Sequence, residues 1–313
     1  MSGILIMGGT TFVSSSLAKY LISKGYEVDI LTRGQKPASY TGYREHLRCH
    51  RQSKADMQHV LKGREYEVIF DISAYTKSDV EVLLSSVETK KLDKYVLCSS
   101  GSVYRPSDNP VSEVADRGEN LNWGQYGLDK KEAEDYLFDL NRKNGFPVII
   151  FRPTYIYGEN NNLYRETYFF DRIKYNQIIP VPSGNDTRTQ FIHIEDLIKV
   201  FESSISNKNI GSAYNVTNPE VVSWNKLVNS CAAAIGKKAF IKEIDSSKNI
   251  KARSYFPFRD VTYLLDISNL VRDGFYVPNI NLKEGLAKAY KGYANELPRI
   301  NDLGMNMIEH VLK

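Results

Sequence analysis

Short apolar runs alternate with stretches of helical period along the first half of the chain. The apolar runs lie at residues 4–7, 28–31, 68–72, 95–98 and 148–151. Between them, apolar residues recur at helical spacing over 12–24, 78–87 and 127–142, and Gly25 stands where a C-cap glycine ends the first helix. This alternation is typical of α/β proteins, so we expect a doubly wound parallel sheet covered by helices on both faces.

The second half of the chain has a different pattern. Residues 158–190 are rich in Asn, Tyr and Arg with weak periodicity, which predicts loops and a short helix. Residues 191–194 are expected to return to the sheet before a helix at 195–203, and later helices are predicted at 223–235 and 281–293. The prediction is a large domain, residues 1–157 with 191–213 returning to it, and a smaller C-terminal lobe formed by 158–190 and 214–313.

Composition narrows the function classes. The 313 residues include 41 basic and 37 acidic side chains, and the net charge of +4 is too small to indicate a nucleic-acid partner. Cys49, Cys98 and Cys231 lie far apart, which excludes a CxxC site and indicates a reducing compartment. No apolar run approaches the ~18 residues of a membrane span. The N-terminus carries no basic leader, so a cytoplasmic location is expected.

A glycine-containing turn follows the first apolar run. It reads Gly8-Gly9-Thr10-Thr11-Phe12-Val13-Ser14 and opens the first predicted helix. Such a strand–turn–helix unit can present backbone N–H groups to a pyrophosphate, as in Rossmann-type dinucleotide-binding domains. Of the three spaced glycines usual there, only Gly8 is present, with Thr11 and Ser14 at the other two positions. A glycine turn that binds no ligand is the alternative interpretation.

The end of the second apolar run bears on the cofactor. An acidic residue at this point usually binds the ribose of NAD, whereas an arginine suits the 2′-phosphate of NADP. The sequence there is Thr32-Arg33-Gly34-Gln35-Lys36, with two cations and no carboxylate. The pattern therefore favours NADP(H) over NAD(H), with Arg33 as the phosphate ligand. The alternative is that Arg33 is a solvated surface residue.

Three side chains form a candidate catalytic set. Tyr126 and Lys130 are four residues apart, which places them on one face of a helix. An ammonium near a phenol should lower the phenol's pKa from its usual value of about 10, so that the phenol can exchange a proton with a sugar hydroxyl. Upstream, the run at 95–98 ends in Ser99-Ser100, at the edge of a parallel sheet where ligands bind.

The whole chain resembles the extended short-chain dehydrogenase/reductase family, which includes NAD(P)-dependent sugar-nucleotide epimerases and dehydratases. The resemblance lies in the GGTxF loop, the segment Ser99 to Tyr104, the YxxxK pair, the segment Arg152 to Gly158, the segment Phe191 to Leu197, and Asp266 ahead of Phe275 to Pro278. The GGTxF loop is similar to that of a divergent branch that includes plant chloroplast stem-loop RNA-binding proteins.

The resemblance implies a role for particular residues. Tyr126 would be the catalytic base and acid, Lys130 would tune it and bind the nicotinamide ribose, and Ser100 would contact the substrate oxygen. The cofactor-binding residues would be Gly8, Thr10, Thr11, Phe12, Val13, Arg33, Ala74, Lys130 and Pro153. Ser102, Arg188 and Arg259 would bind the substrate, although Arg188 stands one residue away from the family's diphosphate-binding position, which is Thr189 here. No metal site is expected.

The reaction class follows from what is missing. Family members that eliminate water carry an Asp-Glu pair where this chain has Gly101 and Ser102, so 4,6-dehydration is not expected. The prediction is an NAD(P)-dependent epimerase or reductase that transfers hydride reversibly at a carbinol carbon of a nucleotide sugar, working as a homodimer. The alternative is a binding or regulatory protein of the same fold with reduced catalysis, possibly RNA-associated.

Overall fold

A computed structural model describes residues 3–184, 186–245, 250–298 and 304–313. The strands are Gly3–Met7 (β1), Val28–Thr32 (β2), Glu45–Arg48 (β3), Tyr66–Asp71 (β4), Lys94–Cys98 (β5), Val148–Pro153 (β6), Tyr155–Tyr157 (β7), Ile178–Ser183 (β8), Phe191–His193 (β9), Ser212–Val216 (β10) and Phe240–Asp245 (β11). The α-helices are Phe12–Ser23 (α1), Lys54–Leu61 (α2), Lys77–Leu84 (α3), Gln125–Asn144 (α4), Glu166–Lys174 (α5), Ile194–Ser206 (α6), Trp224–Ile235 (α7), Ser268–Arg272 (α8), Leu282–Tyr293 (α9) and Ile308–Leu312 (α10).

The centre of the molecule is a seven-stranded parallel sheet in the order β10-β6-β5-β4-β1-β2-β3. Alternate residues of each strand point to opposite faces, and both faces are buried. One face packs against apolar residues of α1 and α6, including Leu17 and Phe201. The other packs against α2, α3 and α4, with Met57, Leu83 and Leu137 in its core. The predicted α/β class with a doubly wound parallel sheet is confirmed.

The smaller lobe has an aromatic core and two short parallel strand pairs. Strands β8 and β11 pair with each other, as do β7 and β9. Helices α5, α7 and α9 contribute Phe169, Trp224 and Tyr293 to one buried cluster. No helix among the described residues has both the length and the apolar character that crossing a membrane requires.

Two details of the predicted division differ in the structure. The sequence predicts that residues 191–194 return to the large sheet, but β9 pairs with β7 instead, and the next helix, α6, is the element that packs on the sheet. Strand β10 pairs with β6 as the edge of the large sheet, so the predicted boundary between residues 213 and 214 falls inside a strand. Strand β10 and helix α6 together cover an edge and a face of the sheet that 1–157 alone would leave open.

A buried ionic network ties helix α4 to strand β6. The Glu134 carboxylate accepts hydrogen bonds from Ser99 Oγ at 2.5 Å, from Arg117 Nη1 at 2.8 Å and from Arg152 Nη2 at 2.7 Å. Arg152 is 1% exposed and Glu134 is fully buried, so each charge depends on the other for compensation. Arg152 also donates to the Tyr104 hydroxyl at 2.7 Å. The network fixes the helix that carries the YxxxK pair against the sheet.

Candidate active site

The site lies at the carboxyl edge of the large sheet. Met7 pairs with Asp71 at the ends of β1 and β4, and Cys98 pairs with Phe151 near the ends of β5 and β6. The loops that leave these strands therefore emerge side by side. They bring the glycine turn, the segment after Asp71 and the serines after Cys98 to one cleft.

The glycine turn is closed by the side chain of Ser14. Gly9 N–H donates to Ser14 Oγ at 2.8 Å, and Ser14 Oγ donates to the Thr11 carbonyl at 2.9 Å. Gly8 has φ +116°, and a Cβ there would lie 2.7 Å from Ser14 Cβ. Ser14 therefore stands at the third glycine position of the motif. Its hydroxyl joins the Gly9 N–H to the Thr11 carbonyl and so holds the turn closed. Gly8 has no room for a side chain, and neither has Gly9, whose φ is +133° and whose Cβ would lie 2.7 Å from Ile30 Cβ.

We expect Gly8→Ala to lower the free energy of unfolding more than Gly25→Ala does, as measured by urea denaturation. Both glycines have positive φ, but a Cβ on Gly25 would meet nothing within 4 Å. The control should therefore lose about 1–2 kcal/mol for its backbone conformation alone, and Gly8→Ala about 2–3 kcal/mol. If the two variants lose the same free energy of unfolding, the close contact between the new Cβ and Ser14 does not destabilise the protein.

A cavity of about 570 Å³ runs from the glycine turn to the end of β2. Gly8, Thr10, Thr11 and Arg33 line it as the sequence predicts, together with Lys36. Helix α1 begins here with no acidic residue in its first turn, so its positive end is available to an anion. These donors and cations fit the pyrophosphate and phosphate groups of a dinucleotide.

A second cavity, of about 400 Å³, adjoins the first. Ser100, Tyr126 and Lys130 line it, which brings the predicted catalytic set together. The predicted cofactor residues that line it are Phe12, Val13 and Pro153. Tyr75 lines both cavities, so a single ligand could extend from one into the other. We call them the dinucleotide cavity and the catalytic cavity.

Lys130 is held by backbone carbonyls. Its Nζ donates to the Ala74 carbonyl at 2.6 Å and to the Cys98 carbonyl at 2.7 Å, and the residue is 3% exposed. An ammonium has three N–H donors, so one remains for a ligand or for the phenol. The Nζ lies 6.0 Å from the centre of the Tyr126 ring and 5.2 Å from that of Tyr75.

Tyr126 lies in the catalytic cavity, although 39% of the residue is exposed. Burial raises the pKa of the phenol from 10.0 to about 12, while a hydrogen bond with Ser100 and the charge of Arg165 act to lower it. The prediction that Lys130 brings this pKa down is therefore wrong for this structure, because the ammonium is directed at two carbonyls. At neutral pH the phenol is protonated and can donate a hydrogen bond.

Two predicted ligand-binding residues do not reach the cleft. Ala74 is fully buried, and its carbonyl holds Lys130 rather than a cofactor. Ser102 is 1% exposed in the short 3₁₀ helix Gly101–Val103, and its backbone carbonyl packs against Gly127. Neither is among the described residues that line the cavities, so direct contact with cofactor or substrate is not supported for either.

The predicted substrate-binding arginines lie on two sides of an aromatic partition, which Trp123 and Tyr263 form between two cavities. Arg259 lines the catalytic cavity with its guanidinium 4.8 Å from the centre of the Trp123 ring. Arg188 lines a third cavity, of about 540 Å³, and donates to the Asp108 carbonyl at 3.1 Å. Trp123 and Tyr263 line both of these cavities. Thr189 is fully buried, so Arg188 takes the cleft-facing position.

Several residues that line the cavities are not predicted from the sequence. Tyr75 and Trp123 precede α3 and α4 in segments without periodicity, and Tyr263 belongs to a stretch of the second lobe that returns to Ser100. Arg165 stands in the Asn-, Tyr- and Arg-rich segment, where the aromatic composition was the available signal. Their positions depend on how the lobe folds back over the sheet.

Comparison with known proteins gives the class. Residues 4–217 match the NAD dependent epimerase/dehydratase family. The fold is similar to that of dTDP-glucose 4,6-dehydratase from Bacillus anthracis in complex with NAD, with a TM-score of 0.79 and 17% identity over 95% of this chain and 98% of that one. The chain belongs to the NAD dependent epimerase/dehydratase family.

Two sequence relatives differ in kind. One is the chloroplast stem-loop binding protein of 41 kDa b from Arabidopsis thaliana, 29% identical over 92% of this chain and 78% of that protein. The other is a putative UDP-glucose 4-epimerase from Methanocaldococcus jannaschii, 27% identical over 93% of this chain and 98% of that protein. The predicted family is confirmed, while the reaction is a separate question.

Proposed function

We propose that the protein is an NAD(P)-dependent epimerase or reductase that acts at a carbinol carbon of a nucleotide sugar. One observation carries this proposal: Ser100, Tyr126 and Lys130 line a single cavity that adjoins the cleft of the glycine turn. Elimination of water is not expected, because Gly101 and the buried Ser102 offer no carboxylate pair.

The residues divide the chemistry as follows. A bound nicotinamide supplies reversible hydride transfer at the carbinol carbon. The protonated Tyr126 phenol gives its proton to the substrate oxygen during reduction, and the phenolate that this leaves takes the hydroxyl proton back during oxidation. Ser100 holds the same oxygen, and the remaining N–H of Lys130 supports the phenol or a ribose hydroxyl. A protonated phenol at neutral pH suits the reductive direction.

The cavity beyond Trp123 suits the nucleotide part of the substrate. It is lined by polar groups that include Arg105, Asn120, Asp186 and Arg188. Arg259 lies where a diphosphate would pass from this nucleotide cavity to the catalytic cavity. The putative UDP-glucose 4-epimerase relative is consistent with a nucleotide-sugar substrate.

The test is binding followed by turnover. Fluorescence titration with NADPH and NADH should give micromolar affinity for at least one, and a nucleotide sugar should then be converted. Affinity for neither dinucleotide would remove the enzymatic proposal and leave only the fold.

We propose that NADPH binds more tightly than NADH. Arg33 lines the dinucleotide cavity, and the end of β2 carries Thr32, whose hydroxyl bonds to His46 at 2.8 Å, in place of an acidic residue. Arg33→Ala should weaken NADPH binding about tenfold and NADH binding little, because a charge-assisted hydrogen bond to phosphate is lost. Arg142→Ala, on the exposed end of α4, is the matched control. An unchanged NADPH/NADH ratio in Arg33→Ala would exclude this role.

A second candidate function is RNA association, favoured by the relationship to a chloroplast stem-loop binding protein. The net charge of +4 speaks against a large electrostatic contribution. Salt-sensitive binding of a stem-loop RNA, together with absent dinucleotide binding, would favour this candidate. A cytoplasmic location and a homodimer stay predictions.

A further inference from the structure

Arg165 points a guanidinium into the catalytic cavity. It precedes helix α5 and lines the same cavity as Tyr126 and Ser100. Its guanidinium carbon lies 5.4 Å from the centre of the Tyr155 ring and 5.7 Å from that of Phe258. The two rings, 5% and 2% exposed, hold the cation in place without neutralising it.

The Glu166 carboxylate attracts the charge of Arg165 but forms no ion pair with it. Among the described residues, no ion pair involves Arg165 or Arg259. The neighbouring Glu166 carboxylate is occupied by Gly158 N–H at 3.0 Å and Asn161 Nδ2 at 2.9 Å. Burial lowers the pKa of Arg165 and Arg259 adds to that effect, while Tyr155, Glu166 and Tyr126 oppose it. Two like charges facing one partly buried cavity are costly, so an anionic ligand would relieve both.

The position of Arg165 distinguishes it from the other cations. It lines the cavity that contains Ser100 and Tyr126, with its guanidinium over the Tyr155 ring. Arg259 lies on Trp123, at the partition, and Arg105 and Arg188 line the nucleotide cavity beyond. A diphosphate that crosses the partition meets these three arginines. Arg165 is left for an anionic group on the sugar itself.

We propose that the sugar of the substrate carries a carboxylate beside the reacting carbon and that Arg165 binds it. This inference rests on the proposed function and names its substrate class as a nucleotide-linked uronic acid. A guanidinium matches a carboxylate with two parallel N–H donors, which fixes the orientation of the sugar as well as its charge. Arg165 is thus a specificity-determining residue.

The test compares UDP-glucuronic acid with UDP-glucose, which share the same nucleotide and diphosphate and differ at the carboxylate. Affinities are measured by isothermal titration calorimetry for the protein and for Arg165→Gln. The wild type should bind the acid at least about tenfold more tightly, and Arg165→Gln should remove that preference while changing UDP-glucose affinity little. Arg172→Gln, on the helix that Arg165 precedes and with its guanidinium bonded to the Ile178 carbonyl, should retain the preference.

The outcomes separate this inference from the proposed function. If Arg165→Gln weakens the binding of both ligands equally, the arginine binds the diphosphate. That result would overturn the proposal that it binds a sugar carboxylate. Failure of the wild type to bind the acid more tightly also overturns it, even where UDP-glucose is converted and the proposed function stands. A retained acid preference without conversion of either sugar supports the inference and contradicts the proposed reaction.

Discussion

Replacing Tyr126 with phenylalanine is expected to lower kcat at least about a hundredfold. The Tyr126 phenol lines the catalytic cavity beside Ser100 and is the proposed group that exchanges a proton with the substrate oxygen. Affinity for the dinucleotide should not change, because the glycine turn, Arg33 and Lys130 remain. Steady-state turnover and fluorescence titration together measure the two effects.

Tyr136→Phe is the control for this experiment. Tyr136 is on the same helix, with its ring 5.6 Å from the Lys77 ammonium and outside the described cavity walls. It should turn over like the wild type. Undiminished turnover in Tyr126→Phe would remove the phenol from the mechanism, and a lost dinucleotide affinity would show that the substitution disturbs the cleft.

Glu134→Ala should lower the free energy of unfolding by about 3–5 kcal/mol. The substitution leaves Arg152, which is 1% exposed, without the carboxylate that accepts its hydrogen bonds at 2.7 and 3.0 Å. Ser99 and Arg117 lose a partner as well. Urea denaturation followed by far-UV circular dichroism measures the change.

Glu132→Ala is the matched control, because Glu132 is exposed two residues earlier on the same helix. It should change the free energy of unfolding by less than about 0.5 kcal/mol. Similar stabilities of the two variants would mean that the buried network is replaceable, in which case water or a rearranged Arg152 must satisfy the charges.

The sequence predicted those elements whose burial is strong and local. Strands β1, β2, β4, β5 and β6 were predicted because they are buried on both faces and read as continuous apolar runs. Strand β3 was not predicted, since it reads Glu-His-Leu-Arg with one buried residue at the sheet edge. Pairing of β9 with β7 instead of the large sheet depends on the lobe, which no local pattern encodes.

The candidate site shows the same division. The spacing of Tyr126 and Lys130 and the order of the motifs predicted residues that the structure places in one cavity, and their catalytic roles stay predictions. The direction of the Tyr126 pKa shift is set first by burial, which is a property of tertiary structure. Arg165 could not be singled out from sequence because its importance lies in having an aromatic cradle and no ion pair with any described residue.

The shared wall at Tyr75 has a thermodynamic consequence. This half-exposed ring borders both the dinucleotide cavity and the catalytic cavity and stands over the Lys130 ammonium. A molecule that shifts the ring from one side alters the free energy of occupying the other side. Reciprocity then requires that each occupant change the other's dissociation constant by the same factor. A dinucleotide and a substrate that both contact this ring would therefore have dissociation constants that depend on each other's concentration.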